Sequence, residues 1–223
     1  MGRATHLALV ASLSLAGLSS PVGAQTTVVT ARQQRFFFRG ALGVGYGSFT
    51  SATSAGDFTL AGVGALGNFA IGVHLYRGLA VHIDACAMSL VTPTVRVSGR
   101  ERPPASRADA TSTLSIIGGG LTWAEHGGLL WASVSGGVAV LGVEIPAAMT
   151  TATGGTTPTF GLTQLGWGLN VLVGKDWPIV YGWRVGGALH GIFAQMADQA
   201  DMGGSAPTWA NVGAGVSLTV SDR

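Results

Sequence analysis

The sequence predicts an all-β fold, a transmembrane eight-stranded antiparallel up-and-down β-barrel. Three observations lead there. Charged residues are 10% of the 223-residue chain, against roughly 25% in ordinary globular domains, and the mean hydropathy is +0.43. A surface so poor in charge belongs in lipid rather than water. Apolar residues recur at every second position, the period of a strand, with small or charged residues between them. Beyond residue 24, no segment offers the roughly 20 uninterrupted apolar residues of a membrane helix. The best window, "FTLAGVGALGNFAIGVHLY" at 58–76, is broken by Gly62, Gly64, Gly67 and Gly72.

Residues 1–24 read as a secretory signal peptide and 25–223 as the barrel. Arg3 supplies the positive start and "LALVASLSLAGL" (7–18) the apolar stretch. Val22 and Ala24 are the small residues before a cut ahead of Gln25. The apolar stretch is too short to span a bilayer. Removing Arg3 leaves 11 basic residues against 10 acidic ones, and so near-neutral a balance gives no case for a nucleic-acid partner. Cys86 stands alone, so no internal disulfide is expected.

The segments follow in order. At 35–46, Phe36, Phe38, Leu42, Val44 and Tyr46 share one parity, and Arg35, Arg39, Ala41, Gly43 and Gly45 share the other; Phe37 does not fit. At 59–76, Phe69, Ile71, Val73 and Leu75 alternate with Ala70, Gly72 and His74. At 79–91, Leu79, Val81 and Ile83 alternate with Ala80, His82 and Asp84. The 113–123 segment is the weakest, because Ile116 and Ile117 are adjacent. At 129–141, Leu130, Val134 and Val138 oppose Ser133, Ser135 and Gly137. At 159–174, Leu165, Trp167, Leu169, Val171 and Val173 oppose Gln164, Gly166, Gly168 and Asn170. "KDWP" (175–178) then reads as a turn. At 179–195, Ile179, Tyr181, Trp183, Val185 and Leu189 oppose Arg184, Gly186, Ala188 and His190. At 209–220, Val212, Val216, Leu218 and Val220 oppose Asn211, Gly213, Ser217 and Thr219.

Backbone groups in hydrocarbon need partners, and an even number of antiparallel strands closes without bare edges. The links at 77–78, 124–128 and 175–178 are short, and those at 47–58, 92–112, 142–158 and 196–208 are long. This alternation fits turns on one side of a membrane and loops on the other. Phe36, Phe38, Tyr76, Trp123, Trp177, Tyr181 and Trp183 gather at the short-turn end, as an interfacial belt would. A soluble lipocalin-like barrel is the competing architecture, but it would hide the large apolar residues and expose the charges, the reverse of this parity.

With its export signal, eight alternating segments, "GALGVGYG" in the first strand and the short-turn, long-loop rhythm, the chain resembles the small eight-stranded outer-membrane β-barrels of Gram-negative bacteria, the OmpA/OmpX/OmpW-like group. The resemblance covers 25–223. It implies residence in the bacterial outer membrane after cleavage of the signal, insertion by the barrel assembly machinery, contact with outer-membrane lipids and lipopolysaccharide, and a monomeric state. The chain ends "VGAGVSLTVSDR", without the terminal aromatic usual in the group's assembly signal.

An eight-stranded barrel is just wide enough for its own side chains to fill. The inward parity collects Arg39, Asn68, His74, His82, Asp84, Gln164, Asn170, Arg184, His190, Asn211 and Ser217. The expectation is a hydrogen-bonded polar network filling the lumen. Asp84 is the one acid placed inside, as partner of Arg39, Arg184 or His82. The dense inward glycines leave a narrow polar pore or ligand cavity as the alternative. No metal and no cofactor is expected, since the spacing of His74, His82 and Asp84 marks no ligand set. No catalytic residue is assigned either. Ser133, Ser135, His190 and Glu144 supply the residue types of a serine hydrolase, but no nucleophile motif surrounds the serines. In the 92–112 loop, Arg96, Arg100, Arg102 and Arg107 are suited to lipopolysaccharide phosphates, because guanidinium binds phosphate bidentately. A solvated loop with local Arg–Glu pairs is the other reading. The expected function is a structural, loop-presenting surface barrel without enzyme activity. The alternative is a narrow channel or uptake route for small or apolar solutes, and a lipid-modifying barrel enzyme comes third.

Overall fold

The computed structural model describes residues 36–53, 56–76, 78–97, 100–101, 111–125, 127, 129–145, 160–197 and 208–222; the expected signal peptide lies outside them. They belong to one compact unit, Gln33–Arg223. The described strands are β1 (Phe36–Thr53), β2 (Gly56–Tyr76), β3 (Leu79–Val91), β4 (Thr94–Val97), β5 (Arg100–Glu101), β6 (Thr111–Ala124), β7 (Leu130–Ile145), β8 (Phe160–Val180), β9 (Trp183–Ala197) and β10 (Thr208–Asp222).

Eight of these form a closed antiparallel ring in the order β1-β2-β3-β6-β7-β8-β9-β10, with β10 returning to β1. Closure leaves no ladder edge bare in the ring, the condition that hydrocarbon imposes. Followed strand by strand, the register leads from Phe37 through Gly72, His82, Gly120, Ser135, Asn170, Ile192 and Gly213 back to Gly47. That stagger of ten residues over eight strands tilts the strands by roughly 40° to the axis. Beyond β3, Thr92 takes a φ of 47° ahead of Pro93. The chain then resumes pairing with Phe58–Ala61 of β2 as β4, and β5 folds back on β4.

Two expectations about the connections are corrected. "KDWP" is strand, not turn: Lys175 pairs with Leu130 and Gly187, and Asp176 pairs with Gly186. The turn lies at Tyr181-Gly182, where both φ angles are positive, 51° and 91°. That is the conformation a two-residue hairpin loop requires. Pro178 sits beside an irregularity in the register near the strand's end, where its missing N–H costs no central ladder bond. Likewise, 47–58 is no long loop. β1 and β2 stay paired up to Thr53 and Gly56, held by the inward Phe49 and Leu60, both fully buried.

The outer wall is apolar. Leu42 and Leu218 are each 75% exposed, and Val44, Ile83, Ile117, Val138 and Val216 are exposed with them. Among the described residues, the outward charges sit at the wall's two ends: Asp57, Arg96 and Glu144 toward the loops, Lys175 and Asp222 toward the turns. A continuous apolar surface of this extent has to be covered by something other than water, and on a closed barrel that is a bilayer. Tyr46, Trp167 and Phe193 add aromatics on the loop half of the wall, with the Trp167 and Phe193 rings 5.4 Å apart.

The interior divides into two zones. The turn half is polar. The loop half is an apolar cluster that includes Phe49, Leu60, Leu66, Met88, Leu114, Ile116, Leu141 and Met196. This corrects the expectation that the inward parity carries small and ionic residues throughout. Where both faces of a strand are apolar, alternation vanishes from the sequence, which is why Ile116 and Ile117 look like a misfit. Inward glycines seat these large side chains. A Cβ at Gly168 would lie 2.5 Å from Ile116 Cδ1, and one at Gly174 would lie 2.5 Å from Trp131 Cζ2. At Gly215 it would meet Leu66 Cδ1 at 2.4 Å. The room above these glycines is therefore occupied. Phe37, the misfit of the first segment, points inward and packs with Ala70 and Ala80.

Candidate functional site

The turn half of the bore holds a polar layer to which every ring strand contributes. Alternation sets the facing of each side chain, and the ten-residue stagger brings distant strands to one height. Arg39 of β1 is fully buried. Its guanidinium donates to Thr122 Oγ1 of β6 at 3.3 Å and to Ser133 Oγ of β7 at 3.0 Å. It also lies 4.5 Å above the ring centre of Trp131 and 3.8 Å from Asp84 Oδ2 of β3. Asp84 accepts from Asn68 Nδ2 of β2 at 2.8 Å and from Asn170 Nδ2 of β8 at 3.0 Å. Charged acceptors make the stronger hydrogen bonds, so Asp84 is the hub.

From this hub the bonds continue in both directions. Asn170 Nδ2 also reaches Ser135 Oγ at 3.3 Å, and Asn170 Oδ1 lies 2.6 Å from His190 Nε2 of β9. An amide oxygen only accepts, so His190 Nε2 carries a proton in this arrangement. In the neutral ring, Nδ1 is then the acceptor for Ser217 of β10, 3.5 Å away. On the other side, Thr122 donates to Ser133, and Ser133 Oγ lies 3.1 Å from His82 Nε2. Phe37 closes over His82 edge-on, with ring centres 5.8 Å apart. Toward the turns, Asp176 accepts from Thr219 and Ser221, each at 2.8 Å.

The structure thus brings Arg39, Asn68, His82, Asp84, Asn170 and His190 together, with Ser217 at the edge. Gln164 and Asn211 are buried but lie in the loop half, where Asn211 donates to Ala194 O at 3.4 Å. His74 is half-buried at the turn end, its ring 5.5 Å from Phe37. Arg184 is half-buried at the same mouth and donates to Gly127 O at 3.2 Å. Asp176 corrects the expectation of a single interior acid: its carboxylate is fully buried, and the turn-like "KDWP" hides it in the sequence. Thr122 and Thr219 lie on the inward parity, but a threonine on a strand is too common to signal a network. Of the loop arginines, Arg96 is exposed and paired in register with Glu101, while Arg100 faces Val97 across the β4–β5 ladder. Arg102 and Arg107 lie outside the described residues.

Chemically, the layer is a hydrogen-bonded network around the Arg39–Asp84 pair, in which Asn68 Oδ1 and His82 Nδ1 make no hydrogen bond to protein. Ser133 and His82 stand at the distance of a nucleophile and its base, but both are buried below 5% exposure and Ser133 already accepts from Arg39. Among the described residues, no group of three or more His, Cys, Asp or Glu side chains is placed to hold a metal.

No family model matches the chain, and no curated protein matches it. Among solved structures, it is similar to the neisserial surface protein A at 12% identity, covering 84% of this chain and 96% of that one, with a TM-score of 0.44. It is also similar to the outer membrane protein AlkL at 12% identity, with coverages of 93% and 96% and a TM-score of 0.47. A third likeness is to the outer membrane protease OmpT of Escherichia coli at 7% identity, with coverages of 86% and 97% and a TM-score of 0.39. These are likenesses of fold.

Proposed function

We propose that the chain is a structural barrel of the bacterial outer membrane, exported by its N-terminal signal and inserted as a monomer by the barrel assembly machinery. Its loop end faces outward, and its bore is closed at rest. One observation carries the reading: a hydrogen-bonded layer drawn from all eight ring strands crosses the turn half, beneath an apolar filling of the loop half. An ion passing through would break several buried bonds, each left unsatisfied at a cost of about 1–3 kcal/mol. Catalysis is no part of this reading, which the burial of the Ser133–His82 contact supports. Arg96, Arg100, Arg102 and Arg107 meet lipopolysaccharide phosphates on the outside.

Planar-bilayer recording tests the closed bore. The purified barrel is expected to give no steady conductance steps, and reproducible single-channel steps would overturn the reading. Membrane fractionation with an unheated-versus-boiled gel comparison tests the location; a wholly soluble protein without a mobility shift would refute it. A second reading, an uptake route for apolar solutes, draws on the apolar loop half with its flexible Met88 and Met196. It predicts that proteoliposomes take up a fluorescent alkane analogue faster than protein-free vesicles do.

A further inference from the structure

We infer that the outer wall carries a specific seat for one phospholipid acyl chain, a shallow groove crossing β10, β1, β2, β3 and β6; this rests on the membrane reading. The groove has a volume of about 760 Å³, and its lining is almost wholly apolar. That lies within the roughly 300–1,000 Å³ of sites that hold small molecules. Its floor is made of small outward residues, Gly40, Gly67, Ala85, Ala87 and Ser115, and its sides of larger ones such as Phe38, Leu42, Phe69 and Leu218.

Two observations bear on what fills this groove. A Cβ built at Gly40 or Gly67 meets nothing closer than 3.9 Å, whereas inward glycines such as Gly168 and Gly174 are hemmed in at 2.5 Å. Packing within the barrel therefore does not require a glycine at 40 or 67, and the space over them is open to the outside. The groove is also continuous with the exposed apolar wall, so the molecule that covers the wall fills it. That molecule is a membrane lipid.

Position selects the leaflet. The lower end lies at Phe38 and Val220, both within two residues of the turn-side ends of β1 and β10. There Phe38 stacks edge-on with Phe69 at 5.0 Å and with Trp183 at 6.3 Å, in the aromatic belt where headgroups begin. From that point the groove climbs across the strands to Ser115 of β6, opposite Ala87 and Val140. A chain entering from the turn-side headgroups and running toward the bilayer centre follows this course. The occupant is an acyl chain of a turn-side phospholipid.

The experiment uses the full chain in bilayer discs of phosphatidylethanolamine and phosphatidylglycerol containing a phospholipid with a photoactivatable acyl chain. Adducts on the wild-type wall are expected to concentrate on peptides carrying residues 38–42, 67–69 and 85–87. Adducts spread evenly around the wall would overturn the seat while leaving the membrane reading intact, and absence of wall adducts would sink both. In native mass spectrometry, the wild type is expected to retain one phospholipid. Gly67→Leu/Ala85→Leu is expected to lose it, and Gly191→Leu, an open outward glycine on β9, to keep it. Equal retention in all three overturns the proposal. So does a wild-type dimer that the double variant abolishes, which would assign the groove to a second copy.

Discussion

Arg39→Met tests the polar layer most directly. Methionine keeps the apolar stem of the side chain and removes the cation. Asp84, 1% exposed, then keeps its two amide donors, Asn68 and Asn170, but loses the guanidinium 3.8 Å away. Breaking a buried pair from one side costs about 3–5 kcal/mol, because the remaining charge stays desolvated. Removing the second charge reverses much of that. In Arg39→Met/Asp84→Asn, the new amide oxygen still accepts from Asn170. The Asn68 amide can rotate to offer its own oxygen, which has no protein partner in the native layer. We expect the double variant to be more stable than Arg39→Met by about 2 kcal/mol or more, a coupling typical of residues in one network. Urea unfolding of the barrel in lipid vesicles measures this, followed by tryptophan fluorescence and by unheated gel mobility. Coincidence of the two probes supports two-state treatment. A loss below about 1 kcal/mol for Arg39→Met, or a double variant no more stable than it, would refute the reasoning, since either outcome means that the pair is wet or uncoupled.

Three further outcomes follow from the packing, the wall and the turn. Gly168→Ala drives a methyl into Ile116 and should lower stability by about 1–3 kcal/mol; adding Ile116→Val should restore part of this in the same urea assay. Val216→Arg, at mid-wall opposite Val44 and Leu189, should cost about 2–4 kcal/mol in a bilayer. Thr111→Arg, at the loop end opposite Glu144, should cost under about 1 kcal/mol, and equal costs would contradict the assigned span. At the β8–β9 turn, Tyr181→Asn should raise stability by roughly 0.5 kcal/mol or more, because asparagine tolerates the left-handed backbone that Tyr181 adopts. Tyr181→Val should lower it by roughly 1 kcal/mol or more, and the reverse order in thermal unfolding would exclude the assigned turn.

Facing is a local property, and the chain writes it plainly. Phe69 and Val171 point outward, and Arg39 and Asp84 point inward, because side chains on a strand alternate whatever the partner strand is. The scarcity of charge then says which face meets lipid, and an exposed ladder edge cannot survive there. Fold class, closure and the inward facing of Arg39, Asn68, His82, Asp84, Asn170 and His190 are legible on those grounds alone. Asp176 is not, because Lys-Asp-Trp-Pro carries turn chemistry, and only pairing with β7 and β9 holds it extended. The apolar loop half is hidden for a different reason: inward Leu114 and Ile116 beside outward Ile117 erase the two-residue contrast. Height along the barrel axis is set by the stagger of the whole ring, a sum over eight registers that no single segment contains. That sum decides that Arg39 meets Asp84 and Ser133, while Arg184, equally inward, ends at the turn-side mouth on the carbonyl of Gly127.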